Sequence, residues 1–167
     1  MPFPAQQVKR MRALLDEIDS LAQREESQFV LRREVVSNWS VAQQLDHAVR
    51  VCASILGRIH EPGEIVEKKL NLVGRVILLA GWIPRGKGKS PTAFLPVPGS
   101  REEMRKSVSD ARTLLEGVVA GRASESNDRI VRHPLFGGLT ARQAFGFAIT
   151  HTRHHMKIVR EILVARS

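Results

Sequence analysis

Thr140-Ala-Arg-Gln-Ala-Phe-Gly-Phe-Ala-Ile-Thr-His-Thr-Arg-His-His-Met-Lys-Ile-Val-Arg-Glu-Ile-Leu-Val164 is the stretch on which the reading of this chain turns. Thr140 is followed three residues on by Gln143, a capping-box pattern that marks a helix N-terminus. Phe145, Ala148, Ile149, Met156, Val159, Ile162 and Leu163 then fall at the steps expected of one packed helical face. The same helix carries His151 and His155. A four-residue step climbs ~6 Å and overshoots a full turn by roughly 40°, so the two imidazoles share a face. Such a pair can grip one metal ion while the helix fixes its separation. His154 points about 100° away from His155 and reads as an exposed polar residue.

Working outward, the other helices follow from the same periodicity. Val8, Met11, Leu14, Leu15, Ile18 and Leu21 predict a first helix from about Pro4 to Gln23. Residues 25–38 are more polar and read as a connection with some helix. Ser40 with Gln43 forms a second capping box, and Val41, Leu45, Ala48, Cys52, Ile55 and Ile59 carry an apolar stripe to about His60, where Glu61-Pro-Gly63 stops it. A third helix fits Glu64–Trp82; its second half is apolar nearly all round, so burial or a subunit interface is expected. Arg85–Gly99 is rich in Gly, Pro and Lys and reads as a long loop without a regular element. Ser100 with Glu103 opens another helix, with Met104, Val108, Ala111, Leu114, Leu115, Val118 and Val119 buried, and Gly121 closes it. Apart from short, ambiguous runs, no strand alternation competes. The expected fold is all-α: a bundle of four main helices with an additional short helix and long loops, in one domain over residues 1–167.

Composition narrows the function classes. The chain has 167 residues, no Tyr and only two Trp, so Leu, Val, Ile and Ala must fill the core. With Cys52 as the single cysteine no internal disulfide can form, which fits a reducing cytoplasm; Cys52 reads as a small core residue. No secretory signal is visible at the start, and the most apolar run, Val76–Ile83, is too short to span a bilayer. The net charge of +9 is spread over dispersed Lys and Arg with no dense run, no aromatic interleaving and no zinc-finger spacing. The surplus suits a small anion better than nucleic acid, whose binding it would support only weakly and with a steep salt dependence.

A helix pair supplies two ligands, and a third must come from another element. His47, in Trp39-Ser-Val-Ala-Gln-Gln-Leu-Asp-His47, is the candidate. It borders an apolar stripe, as His151 and His155 do, and ligand sites in bundles are built from inward-looking side chains on facing helices. Each of the three has a plainer reading as a satisfied histidine on a helix. Three neutral imidazoles suit zinc, nickel, cobalt or iron(II) and leave a position open for water or substrate. His133 reads as a turn histidine that orders His-Pro-Leu-Phe-Gly, with a site-rim role as the alternative. Asp46 points about 100° from His47 and reads as solvated.

The motifs together carry a resemblance. The Trp39…Leu45…His47 segment resembles the signature at the second helix of the DinB-like (DinB/YfiT) superfamily, and His151-Thr-Arg-His-His155 resembles that superfamily's late His-x-x-x-His. Ile83-Pro-Arg-Gly and His133-Pro-Leu-Phe-Gly-Gly-Leu-Thr are similar to an uncharacterised branch of it. The resemblance implies a four-helix bundle of DinB/YfiT type and a divalent metal, commonly zinc or nickel, on His47, His151 and His155. It also implies a homodimer, and a thiol-dependent transferase, isomerase or related activity. Relatives often carry Gln two residues after the last histidine; here Lys157 stands there and puts positive charge near the expected site mouth.

Three functions compete on these residues. The first is a metal-dependent enzyme, a thiol S-transferase or hydrolase, with Arg85, Lys87, Lys89 or Lys157 attracting the carboxylates of a low-molecular-weight thiol or another small anion. The second is a non-catalytic metal- or ligand-binding bundle, since no general base accompanies the triad in sequence. The third, ranked last, is a nucleic-acid-associated basic protein.

Overall fold

The computed structural model describes residues 3–86, 90–97, 99–121 and 126–165. The chain is mostly helical, as the periodicity requires. In order it forms α1 (Ala5–Ala22), the short α2 (Glu26–Phe29), α3 (Val41–His60), α4 (Leu72–Ala80), a single 3-10 turn at Thr92–Phe94, α5 (Arg101–Ala120), β1 (Arg129–His133), β2 (Gly137–Thr140) and α6 (Ala141–Val164). All three capping boxes form: the hydroxyls of Ser40, Ser100 and Thr140 accept the amides of Gln43, Glu103 and Gln143, whose side chains accept the cap amides in return.

α3 is the central element. It packs on α6 and α5, while α1 lies against α5 and α6. Met11, Leu15, Ile18, Leu45, Leu56, Ile59, Leu115, Phe145, Met156 and Ile162 are fully buried between them. Each such side chain contributes roughly 1.5–3 kcal/mol of transfer free energy. Cys52 is part of this core; its Sγ lies 3.6 Å from Met11 Sδ, and burial pushes the thiol up to about 12, so it offers no thiolate. Arg12 pairs with Glu116, Arg112 with Asp16 and Arg160 with Glu17, so part of the dispersed basic charge joins α1 to α5 and α6.

Two expectations change. β1 and β2 form an antiparallel hairpin with Val131 opposite Leu139 and His133 opposite Gly137, where no strand was expected. The predicted helix over Glu64–Trp82 survives only as Leu72–Ala80. Both departures have one cause. Residues 66–71 run along the hairpin and spend their backbone groups on it: the Val66 amide donates to the Arg129 carbonyl, the Gly138 amide to Lys68 and the Asn71 amide to Phe136. Asn71 then starts α4 by accepting the Gly74 amide on its side chain. Of the two expectations for this helix, burial within the chain fails: among its residues only Gly74 is buried, and Leu72, Val76 and Leu79 are exposed, as is the following Trp82.

Gly137 makes the hairpin possible. Its φ of +94° is a conformation that side chains disfavour, and a Cβ there would drive into the Lys69 carbonyl. Gly137→Ala is expected to cost about 2–4 kcal/mol, from strain and overpacking together. Urea denaturation measures it; an unchanged midpoint would show that the 66–71 segment can move aside freely.

Candidate metal centre

α3 and α6 face each other, and the three predicted histidines meet at one end of their contact. Ring centroids stand 5.0 Å apart for His47 and His151, 4.5 Å for His47 and His155, and 4.6 Å for His151 and His155. One ligand-type nitrogen from each lies within 4.8 Å of the other two. His47 and His155 are buried and His151 is partly so.

Hydrogen bonds fix which nitrogens are free. His155 Nδ1 donates to Gln44 Oε1 at 2.6 Å, and the Gln44 amide nitrogen donates to Ser37 Oγ at 2.9 Å, which sets the amide's orientation. His47 Nδ1 donates to the Phe94 carbonyl at 2.6 Å. With Nδ1 protonated, a neutral imidazole keeps its lone pair on Nε2. Metal-ligating histidines are held in this way, by an oxygen on the far ring nitrogen.

Burial keeps the rings neutral. It pushes His151 down to about 3, helped by His47, His154 and His133 nearby, and it lowers His155, helped by His151. His47 is lowered by burial too, although the Phe94 carbonyl pulls the other way.

The Phe94 carbonyl is held in place by α3 itself. Arg50 donates to the carbonyls of Ala93 at 2.7 Å and Leu95 at 2.9 Å, and Asp46 accepts the Val97 amide at 2.9 Å. Asp46 is therefore not a solvated carboxylate, as the sequence had suggested: it helps to strap residues 93–97 across the helix that bears His47. The long loop likewise contains a regular turn at Thr92–Phe94 where none was expected.

The residues present fit a divalent metal. His47 Nε2 and His151 Nε2 face each other at 3.2 Å, and two such nitrogens need either a shared proton or a shared cation. His151 Nδ1 is buried without a partner. The donors are three neutral imidazoles with no carboxylate among them, a set that suits zinc, nickel, cobalt or iron(II).

The cluster opens into a cavity of about 900 Å³. Trp39, Phe94, Phe147 and Leu139 give it apolar walls, and no Asp or Glu lines it among the described residues. Trp39 stacks 6.2 Å from His155. The expected cations do not supply its charge: Arg85 pairs with Glu161, Lys157 is exposed, and neither lines the cavity, while Lys87 and Lys89 lie outside the described residues. Arg58 and Arg132 line it instead. His154, expected to be exposed, is half-buried, lines the cavity and meets His155 edge-on at 5.1 Å. Sequence reasoning passed over Gln44, although it stands three residues before His47 and so on the same helical face. It had no signal for the Phe94 carbonyl.

Comparison with known proteins gives the same frame. The chain is 24% identical over 126 residues to "Uncharacterized protein YuaE" of Bacillus subtilis (strain 168), covering 74% of this chain and 76% of that one. No solved structure matches significantly. The family model for the DinB superfamily matches residues 5–159, a span that runs from α1 through both histidine-bearing helices, and the chain belongs to that superfamily.

Proposed function

We propose that this protein is a metal-dependent enzyme in which His47, His151 and His155 hold one divalent ion, zinc or nickel, and that it acts as a thiol-dependent transferase or as a hydrolase. The observation that carries the reading is the convergence of three neutral imidazoles at the wall of a cavity large enough for a small molecule. Three protein ligands leave a coordination position for substrate. When bound, the ion would lower the pKa of a coordinated water or thiol and so supply a nucleophile at neutral pH. The protein's own residues orient that site: Gln44 and the Phe94 carbonyl fix His155 and His47, and Trp39, Phe94 and Phe147 give the chamber apolar walls.

The closed ring of contacts from α1 to α5, α3, α6 and back supports a DinB/YfiT-type four-helix bundle in a single domain over residues 1–167. The exposed apolar side of α4 supports a homodimer. No described helix is long and apolar enough to cross a membrane, and the one buried thiol suits a reducing compartment such as the cytoplasm.

A second reading is a non-catalytic metal- or ligand-binding protein. The lack of a carboxylate among the described residues lining the cavity favours it, because it leaves only imidazoles such as His154 as candidate general bases. The two are separated by screening zinc- and nickel-loaded protein with thiols and electrophiles, with a His151→Ala/His155→Ala control. Turnover that disappears with the metal supports the enzyme; stoichiometric metal without turnover supports the binder. No metal after reconstitution removes the enzyme and the metal binder, and leaves only a ligand-binding bundle.

One prediction concerns Gln44. Gln44→Leu should lower zinc affinity about 10–100-fold without changing the ligand set, because His155 loses the partner that fixes its tautomer. Competition against a chelating dye reads this directly, and an unchanged affinity would show that Gln44 has no hold on the site.

A further inference from the structure

His133 serves a turn with one ring nitrogen and leaves the other open. Its Nδ1 accepts the backbone amides of Leu135 and Phe136, each at 3.2 Å. This is the turn role expected from the sequence. An accepting Nδ1 in a neutral ring puts the proton on Nε2. Burial supports the neutral state, pushing His133 down to about 4. The ring cannot readily turn over: it stacks on Phe136 at 3.9 Å with planes 5° apart, and Phe147 meets it edge-on at 4.8 Å. Nε2 has no partner among the described residues, and it is absent from the buried nitrogens and oxygens that lack one.

The ring belongs to a residue that lines the same cavity. Phe147 touches His133 on one side and His151, 5.7 Å between centroids, on the other. Arg58 and Arg132 line this cavity too. Neither has an ion-pair or hydrogen-bond partner among the described residues, whereas Arg12, Arg50, Arg85, Arg112 and Arg160 all do. The chamber thus combines apolar walls, positive charge with no counter-ion among the described residues and one neutral donor held in a fixed ring.

We propose that the cavity takes a small molecule with an apolar body and an oxyanion head, carboxylate or phosphate, and that His133 Nε2–H is a hydrogen-bond donor to that head. Arg58 and Arg132 supply the countercharge. The inference rests on the cavity being the substrate site of the proposed enzyme; it does not require the metal.

Two substitutions divide the ring's duties. In His133→Asn the amide oxygen reaches the Nδ1 position and keeps the turn, but nothing reaches Nε2. In His133→Gln the amide nitrogen reaches the Nε2 position and restores the donor. The probes are octanoate and octyl phosphate, with octylammonium as the charge control. They are titrated calorimetrically into zinc-loaded protein, metal-free protein and metal-free His47→Ala protein. With His133 intact, the protein should bind one or both anions in all three backgrounds and octylammonium far more weakly. His133→Asn should weaken the anion about tenfold or more, and His133→Gln should recover most of the loss. Preference between octanoate and octyl phosphate identifies the head group.

His133→Asn binding as well as wild type overturns the proposal. So does equal binding of octylammonium, or no binding of either anion in any background. If His133→Asn fails to fold, the ring proton of wild type replaces it: the Nε2–H resonance must shift when the anion is added, and a resonance that stays put overturns the assignment. Loss of metal binding in the wild type with the His133 dependence intact would sink the metal reading and leave this one standing; the reverse result would sink this one alone.

Discussion

Taking the metal-free protein from pH 7 to pH 5 is expected to remove at least about 4 kcal/mol of its folding stability. His151 and His155 carry most of this. Both are held neutral by burial, with His151 pushed down to about 3 and His155 also lowered. In the unfolded chain a histidine takes up its proton near pH 6.5. Between that value and the folded pKa the unfolded state binds a proton that the native state refuses. The stability is therefore fully present above pH 6.5 and is lost as the pH falls, at about 2 kcal/mol per imidazole by pH 5. His47 and His133 are lowered as well and act in the same direction. The sum is a large share of an ordinary domain's 5–15 kcal/mol or so. Urea titrations of chelator-treated protein at several pH values measure it, and a His151→Ala/His155→Ala variant should lose about half or more of the slope. Stability that stays flat from pH 7 to pH 5 would mean that these imidazoles are not held neutral.

The helices and the histidine cluster were legible in the sequence because both rest on local rules. Ser40, Ser100 and Thr140 announce their helices by capping boxes, and the spacing of His151 and His155 is a property of one helix alone. Bringing in His47 required only that two apolar-striped helices be neighbours. What stayed hidden depends on contacts between distant segments. The stretch from Val66 to Asn71 has helix-compatible residues, yet its backbone is claimed by a hairpin some sixty residues further on, and no local pattern records that. The hairpin itself is short, bulged near Arg129 and built around Gly137 and Gly138, so it lacks clean alternation. The Asp46 and Arg50 strap joins side chains on one helix to main-chain groups in a loop, which carry no residue identity to read. The charge at the site was misplaced for a related reason: Arg85 sits in a conspicuous basic run but is spent on Glu161, whereas Arg58 and Arg132 are inconspicuous in sequence and line the cavity without an ion-pair partner among the described residues.

Separate alanine substitutions at His47, His151 and His155 are expected to reduce bound zinc or nickel from about one ion per chain to a trace, while His154→Ala keeps it. The reasoning is geometric. Nε2 of His47 and His155 are committed as lone pairs by their Nδ1 hydrogen bonds, and His151 Nε2 faces His47 Nε2 at 3.2 Å, so deleting any one leaves two ligands and no closed set. The loss should exceed the roughly 10–100-fold expected from removing an outer partner such as Gln44. Folding stability gives an independent reading. With free zinc at about 100 times its Kd the wild type should gain about 2.7 kcal/mol, and each alanine variant should gain nothing. Among the metal-free variants His151→Ala should lose least beyond this, because it removes a buried nitrogen that already lacks a partner and its cost is set mainly by the void left behind, whereas His47→Ala and His155→Ala also strand the Phe94 carbonyl and Gln44 Oε1. Full metal content in all three variants would place the ion elsewhere. Its loss from His154→Ala as well would widen the ligand set, because His154 meets His155 edge-on and shares the cavity.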